Sequence, residues 1–159
     1  MPRITIEQAG RYAGQTVSIP GWLYNLRRSG KIAFPILRDG TGIMQCVAVK
    51  SQLPEGLFEV IKDLTQESSI IVTGKVRAES RAPGGYELDL ENLDVIQRVP
   101  ESGPYPITPK EHGIDFLMDH RHLWLRSRRQ HAILRVRHEV IRAIRDYFEL
   151  LCPNCRRPG

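Results

Sequence analysis

Short stretches of alternating apolar and polar residues fill much of the first hundred positions, and glycine, proline or aspartate bounds most of them. Alternation with a period of two is typical of strands that bury one face. In the first stretch Val17, Ile19 and Gly21 share a face, which we expect to point into a core. The predicted strands span residues 17–26, 32–38, 43–49, 69–77 and 86–97.

Turn and helix signals separate these strands. Gly30 is predicted to turn the chain after the first strand, and Asp39-Gly40-Thr41-Gly42 to close the next hairpin, because glycine tolerates positive φ. Thr5, followed three residues later by glutamine, forms a capping-box pattern that predicts a short helix near the N-terminus. Pro54 is predicted to open a helix with one apolar face, between the third and fourth strands.

Three strands, a helix and two further strands are the order of a five-stranded oligonucleotide-binding barrel. The predicted fold class is therefore an all-β OB-fold barrel with a short helix between strands 3 and 4, followed by a hinge and one long C-terminal α-helix. The predicted parts are a barrel at 1–99, a proline-rich hinge at 100–128, the long helix at 129–150 and an atypical tail at 151–159.

Charge is distributed unevenly along the chain. Residues 1–120 hold 13 Lys/Arg and 15 Asp/Glu, whereas residues 121–159 hold 10 and 3. The barrel is therefore not a polycation that attracts nucleic acid by bulk charge. The chain has no apolar run long enough to span a membrane and no secretion signal, so we expect a soluble, cytoplasmic protein without a membrane partner. Its 3 cysteines do not form a disulfide framework.

The first predicted turn gathers groups that suit single-stranded nucleic acid. Arg27, Arg28 and Lys31 bring positive charge for phosphate groups, Phe34 brings a ring on which a base can stack, and Gln45 brings an amide for a base edge. Taken alone, an aromatic residue in a barrel strand is more often part of the core. Trp22 is interpreted in that way.

The stretch from Gly21 to Gln45 resembles the anticodon-binding barrel of the class II aminoacyl-tRNA synthetases for aspartate, asparagine and lysine. The segment from Tyr105-Pro106-Ile107-Thr108-Pro109-Lys110-Glu111-His112-Gly113 to Asp119-His120-Arg121-His122-Leu123-Trp124-Leu125-Arg126 is similar to the hinge of bacterial asparaginyl-tRNA synthetases. The resemblance covers residues 1 to about 149.

This resemblance implies a site for the tRNA anticodon loop. Phe34 matches a ring that stacks on the central uridine, and Gln45 matches an amide that hydrogen-bonds the edge of that uridine. Arg27 matches an arginine that contacts the same loop, and Glu87 aligns with a carboxylate that recognises a neighbouring base. Arg28 and Lys31 fit contacts with phosphate groups.

The resemblance also implies the activity of the intact family, which is ATP-dependent attachment of asparagine to tRNA by a homodimer that uses ATP and Mg²⁺. The catalytic motifs of the family would follow the long helix, and after Glu149 the sequence loses the family pattern. We therefore expect no catalytic residue, no cofactor and no aminoacylation activity in this chain. The alternatives are a free-standing single-strand-binding module and an interaction subunit that acts through the exposed face of the helix.

Histidines and cysteines toward the C-terminus raise the question of a metal site. The spacing of His112, His120, His122 and His131 lacks the paired arrangement of zinc ligands, so we interpret them as hydrogen-bonding hinge residues or tRNA contacts. Cys152-Pro153-Asn154-Cys155 supplies two of the four ligands that a structural zinc site needs. We expect it to be an accidental feature of the tail, with no metal bound.

Overall fold

The computed structural model describes residues 1–108 and 110–151. The chain divides into two compact units, Met1–Tyr105 and Pro106–Gly159. The first unit contains a five-stranded sheet that closes into a barrel in the order β1-β2-β3-β5-β4. The strands are β1 (Thr16–Ser29), β2 (Ile32–Arg38), β3 (Ile43–Val49), β4 (Ser69–Ala78) and β5 (Tyr86–Gln97).

Neighbouring strands are antiparallel except β3 and β5, which run parallel. The β3–β5 and β4–β1 pairings close the barrel. Helix α1 (Leu57–Lys62) lies between β3 and β4 in the chain and buries Phe58 and Ile61 in the barrel core. The predicted OB-fold is confirmed, with the bounds of β2, β3 and β5 where the alternation placed them. β1 extends three residues beyond the predicted end, to Ser29.

Alternating burial along the strands builds the core. β2 and β3 each show a strict alternation of half-buried and buried residues, with Ala33, Pro35 and Leu37 inside β2. In β1 the inward residues include Val17, Ile19, Gly21 and Leu23, as the sequence predicted. The outward residues of β2 and β3 therefore form a separate face, which carries the candidate site.

Trp22 corrects a prediction from the sequence. Its neighbours Gly21 and Leu23 are buried in the core, so Trp22 points outward, and 42 % of it is exposed. Gly21 itself is needed at its position, because a Cβ there would lie 2.6 Å from the carbonyl oxygen of Arg38. Trp22 is therefore a surface residue rather than a core residue, since only one set of alternating positions can face inward.

The N-terminal helix is a 3₁₀ helix, Ile6–Tyr12, rather than an α-helix. The capping box is present, since the backbone N–H of Thr5 donates to Oε1 of Gln8 at 3.1 Å. The β2–β3 turn supports this helix, because Oδ2 of Asp39 accepts the backbone N–H of Ile6 at 2.8 Å. Oδ1 of Asp39 also accepts the backbone N–H of Thr41 at 2.7 Å, which stabilises the turn itself.

The second unit contains three helices within its described residues: α2 (Ile114–Asp119), α3 (Arg121–Trp124) and α4 (Arg128–Leu151). The sequence predicted α4 but placed α2 and α3 in an irregular hinge. The apolar residues of α4, among them Val136, Val140 and Ile144, are exposed. Among the described residues, no helix is both long and apolar enough to cross a membrane. Pro109 and the predicted tail residues 152–159, with their two cysteines, lie outside the described residues.

Candidate nucleic-acid interface

Arg27 and Phe34 form the first part of the outer barrel face that holds the candidate site. They are directly opposite each other in the β1–β2 register. Phe34 is half-buried and points outward, because the buried residues Ala33 and Pro35 flank it. The guanidinium carbon of Arg27 lies 4.5 Å from the centroid of the Phe34 ring. This distance is typical of a cation–π contact, so the ring is held at the surface beneath a positive charge.

Gln45 and Glu87 continue the same face across β3 and β5. They are register partners in the parallel pair, and Nε2 of Gln45 donates to Oε1 of Glu87 at 2.7 Å. Gln45 is half-buried and also faces Ile36 across the β2–β3 pair. Residues on one face of neighbouring strands lie within reach of each other. A ring and an amide are thus placed on adjacent strands of one surface.

Arg77 on β4 completes this face and was missed in the sequence analysis. It lies opposite Glu87 in the β4–β5 register, and its Nη2 donates to Oε2 of Glu87 at 2.8 Å. Its Nε lies 3.4 Å from Oδ1 of Asp89. The signal available in the sequence was an opposite-charge pair on adjacent strands. That signal is usable only once the register of β4 and β5 is known.

The structure brings together four of the six predicted site residues. The outer barrel face consists of Arg27, Phe34, Gln45 and Glu87 from four neighbouring strands, together with Arg77. Stacking, hydrogen bonding to a base edge and ionic contact with phosphate are what this surface can do. These residues offer charge, ring and amide groups, which suit recognition of a ligand.

Arg28 makes a different contact from its neighbour Arg27. The Arg28 Nε donates to the carbonyl oxygen of Lys62 at 2.9 Å, and its Nη2 donates to the same oxygen. Lys62 is the last residue of α1, so Arg28 satisfies a carbonyl at the C-terminus of that helix. Lys31 is exposed in the turn beside Gly30, whose φ is +59°. Lys31 is therefore positioned at the tip of the β1–β2 hairpin.

Arg38, at the end of β2, pairs with a residue far away in the chain rather than with its neighbour Asp39. Its Nη2 lies 2.7 Å from Oε2 of Glu67, and the side chains are 15 % and 4 % exposed. Its guanidinium carbon is 5.7 Å from the centroid of the Tyr24 ring. The pair links the end of β2 to the segment before β4. Arg38 therefore contributes to the barrel structure, and Asp39 to the turn.

Cys46 lies behind the candidate site, next to Gln45 in sequence but inside the barrel. It is fully buried. Burial raises the pKa of the Cys46 thiol to about 12, and the negative charge of Glu87 contributes to the same rise. The thiol is therefore protonated at neutral pH and does not act as a nucleophile.

The described residues do not fit a resident metal ion. Among residues 1–108 and 110–151, no group of three or more His, Cys, Asp or Glu residues is placed to hold one. His112 and His120 instead contact other side chains and backbone groups of residues 108–120. The Phe116 ring stacks on both, with centroid distances of 4.8 and 4.3 Å. The backbone N–H of Thr108 also donates to Nε2 of His112 at 3.1 Å.

Comparison with protein families places residues 17–96 within the model of the OB-fold nucleic acid binding domain. That match covers half of the chain and spans the barrel strands. The chain belongs to this family. The outer barrel face of this OB-fold domain lies on the strands and loops that the fold uses for oligonucleotide ligands.

Individual relatives confirm the resemblance found in the sequence. The chain is 62 % identical over 148 residues to the asparagine–tRNA ligase of Koribacter versatilis, covering 93 % of this chain and 34 % of the relative. The corresponding ligase of Chloroflexus aurantiacus is 52 % identical over 148 residues, with 93 % and 33 % covered. The chain thus spans about a third of the length of the curated relatives it matches.

A solved structure gives the same result for the fold. The asparaginyl-tRNA synthetase of Pyrococcus horikoshii, in complex with asparaginyl-adenylate, matches with a TM-score of 0.79 at 39 % identity. The match covers 92 % of this chain and 34 % of that structure. The fold of this chain is therefore similar to that of one part of that larger protein.

Proposed function

We propose that this chain is the anticodon-binding part of an asparagine–tRNA ligase and that its outer barrel face binds the anticodon loop of tRNA. The observation that carries the proposal is the placement of Arg27, Phe34, Gln45 and Glu87 on one surface of four neighbouring strands. The relatives named asparagine–tRNA ligase support the choice of this RNA among other single-stranded ligands.

In this proposal Phe34 stacks on the central base of the anticodon. The guanidinium of Arg27 now lies over that ring, so a base that stacks on the same face displaces it. The displaced guanidinium is then available to contact a phosphate group of the loop. Stacking contributes about 1–3 kcal/mol per base, and base-edge contacts supply the selectivity.

The other assigned residues have separate roles in the proposal. Gln45 hydrogen-bonds the edge of the central base, and Glu87 lies beside it on the same face. Lys31, exposed at the tip of the hairpin, contacts a phosphate group. Arg28 supports the hairpin through α1 and adds positive charge near the same phosphate groups.

We propose in addition that the whole protein to which this part belongs attaches asparagine to tRNA in the cytoplasm as a homodimer that uses ATP and Mg²⁺. Its adenylate chemistry is assigned to the two thirds of the relatives that this chain does not span. We expect no asparagine-dependent exchange of pyrophosphate into ATP from this chain alone. Exchange above the level of a boiled control would contradict this assignment.

The binding proposal is tested by fluorescence anisotropy with an anticodon stem-loop that carries GUU. We expect the full chain to prefer this loop to loops with another central base. Phe34→Ala should weaken binding about 5- to 150-fold, which corresponds to the loss of one stacked base. Trp22→Ala is the matched control, because Trp22 is also an exposed aromatic residue. It lies about 16 Å along β1 from Arg27, the register partner of Phe34.

A generic single-strand binder would give a different result. It would respond to the length of the RNA and to salt, with equal affinity for every loop sequence. Equal binding of all loops by the wild-type chain, or an equal effect of Phe34→Ala and Trp22→Ala, would contradict the anticodon proposal.

A further inference from the structure

The Gln45 side chain is one end of a hydrogen-bonded row that crosses three strands. Glu87 lies opposite Gln45 across β3–β5 and opposite Arg77 across β4–β5. Each of its two carboxylate oxygens accepts from one neighbour, at 2.7 Å from Gln45 and 2.8 Å from Arg77. The Glu87 side chain is 8 % exposed. The carboxylate is thus a buried bridge between an amide and a guanidinium.

The bridge determines which way the Gln45 amide points. A carboxylate accepts hydrogen bonds and donates none, so it must face the –NH₂ end of the amide. Oε1 of Gln45 then points away from Glu87. Within the part of the chain that the structure describes, no hydrogen bond to that oxygen is present. Gln45 therefore offers an approaching ligand an acceptor, with its second N–H beside it.

An amide held in one orientation can distinguish uracil from cytosine, whereas an amide that is free to turn can pair with either base. Uracil presents a donor at N3 beside an acceptor at O4, whereas cytosine presents an acceptor at N3 beside a donor at N4. Once stacking holds the ring in one position, Oε1 of Gln45 faces either the donor of uracil or the acceptor of cytosine. Turning the amide by half a rotation exchanges the two preferences, because the amide has one donor end and one acceptor end.

We infer that Glu87 and Arg77 are positioning residues that lock the Gln45 amide in one orientation, and that this lock makes the site select uracil over cytosine. The inference rests on the proposed function, since it concerns how the same face selects the central base. It gives Glu87 a role through Gln45 and assigns Arg77, which the sequence analysis did not single out, to the recognition site.

Arg77 is suited to hold the carboxylate in place. It spans two acidic side chains, with Nη2 on Glu87 and Nε 3.4 Å from Asp89. Its side chain is 49 % exposed while that of Glu87 is 8 % exposed, so the arginine is the solvent-exposed partner of a buried carboxylate. A buried carboxylate that loses its charged partner reorients or takes up water. Either change releases the Gln45 amide.

The test measures the ratio of dissociation constants for two anticodon stem-loops, with central cytosine and central uracil. The wild-type chain should favour uracil. In Glu87→Gln the new amide can donate or accept, so Gln45 can turn, and the ratio should fall about tenfold. Arg77→Met should lower the ratio in the same direction, and Arg77→Lys should restore part of it.

Asp89→Asn is the matched control. It alters the second acidic partner of Arg77 but leaves the contact between Gln45 and Glu87 in place, so the ratio should stay at the wild-type value. Thermal unfolding of each variant shows that the barrel is intact. A ratio unchanged in both Glu87→Gln and Arg77→Met overturns the inference while leaving the anticodon proposal standing, whereas wild-type binding without a uracil preference overturns both.

A measurement without RNA tests the lock itself. The side-chain amide of Gln45 gives two ¹H–¹⁵N NMR signals that report on its hydrogen bond. Glu87→Gln and Arg77→Met should shift both signals, and Asp89→Asn should leave them in place. Gln45 amide signals that do not change in Glu87→Gln would overturn the inference.

Discussion

Replacing Gly74 with alanine tests whether the close approach of β4 and β5 holds the outer barrel face in its register. A Cβ at Gly74 would lie 2.2 Å from the carbonyl oxygen of Asp89, where ordinary contact begins at 3.4 Å, a shortfall of about 1.2 Å. The obstructing atom is backbone, and the barrel is closed, so β4 cannot move from β5 without disturbing β1. β4 and β5 must therefore separate locally, close to the Arg77–Glu87 pair of the same two strands.

The expected destabilisation has two sources, broken ladder hydrogen bonds between β4 and β5 and crowding by the new methyl group. Two ladder hydrogen bonds contribute about 1 kcal/mol each, and overpacking adds about 1–3 kcal/mol. We expect a loss of about 3–5 kcal/mol in the free energy of unfolding, which lowers Tm on the order of 10–20 °C for a domain of this size. Urea denaturation followed by circular dichroism measures it.

Gly40→Ala is the matched control for this substitution. A Cβ at Gly40 meets no atom within 4 Å, and its φ lies outside the positive range that favours glycine. We expect its free energy of unfolding to stay within about 0.5 kcal/mol of wild type. If Gly74→Ala and Gly40→Ala unfold at the same urea concentration, the close-packing argument is refuted.

Three further predictions concern single side chains. Lys31→Ala should weaken binding of all loops equally and reduce the slope of log K against log salt by about 0.7, measured by anisotropy at several salt concentrations. Arg28→Ala should lower the free energy of unfolding by about 1 kcal/mol, measured in urea, because the carbonyl of Lys62 loses its partner. The pKa of Cys46 is raised to about 12 from 9.0, so its protonated thiol stabilises the fold fully below pH 9. That stability is lost as pH rises toward 12. The loss is measured by comparing the urea midpoints of the wild-type chain and Cys46→Ala at a series of pH values.

The barrel could be predicted because its signals are local. Alternation in β2 and β3 gives both the strand bounds and the side of each residue, and it puts Phe34 and Gln45 on the outward face, where the structure has them. The same alternation applied to β1 contradicts a core position for Trp22, because Gly21 occupies the inward place beside it. The prediction for Trp22 was wrong because it relied on the general tendency of aromatic residues to be buried.

Other features were beyond the sequence because they depend on contacts between residues far apart in the chain or on elements too short to show a pattern. Arg27 and Arg28 look equivalent in sequence, but one covers Phe34 and the other reaches Lys62 on α1. Arg77 enters the site through its register with Glu87, which no local pattern specifies. The short helices α2 and α3 contain too few turns to show helical periodicity.

The most direct test of the account is an NMR structure of the chain bound to the GUU stem-loop. The account predicts nuclear Overhauser effects between the ring protons of Phe34 and the central uridine, with upfield shifts of that uridine from ring stacking. Contacts of the RNA with α4 alone, and Phe34 ring signals that do not change on binding, would contradict it.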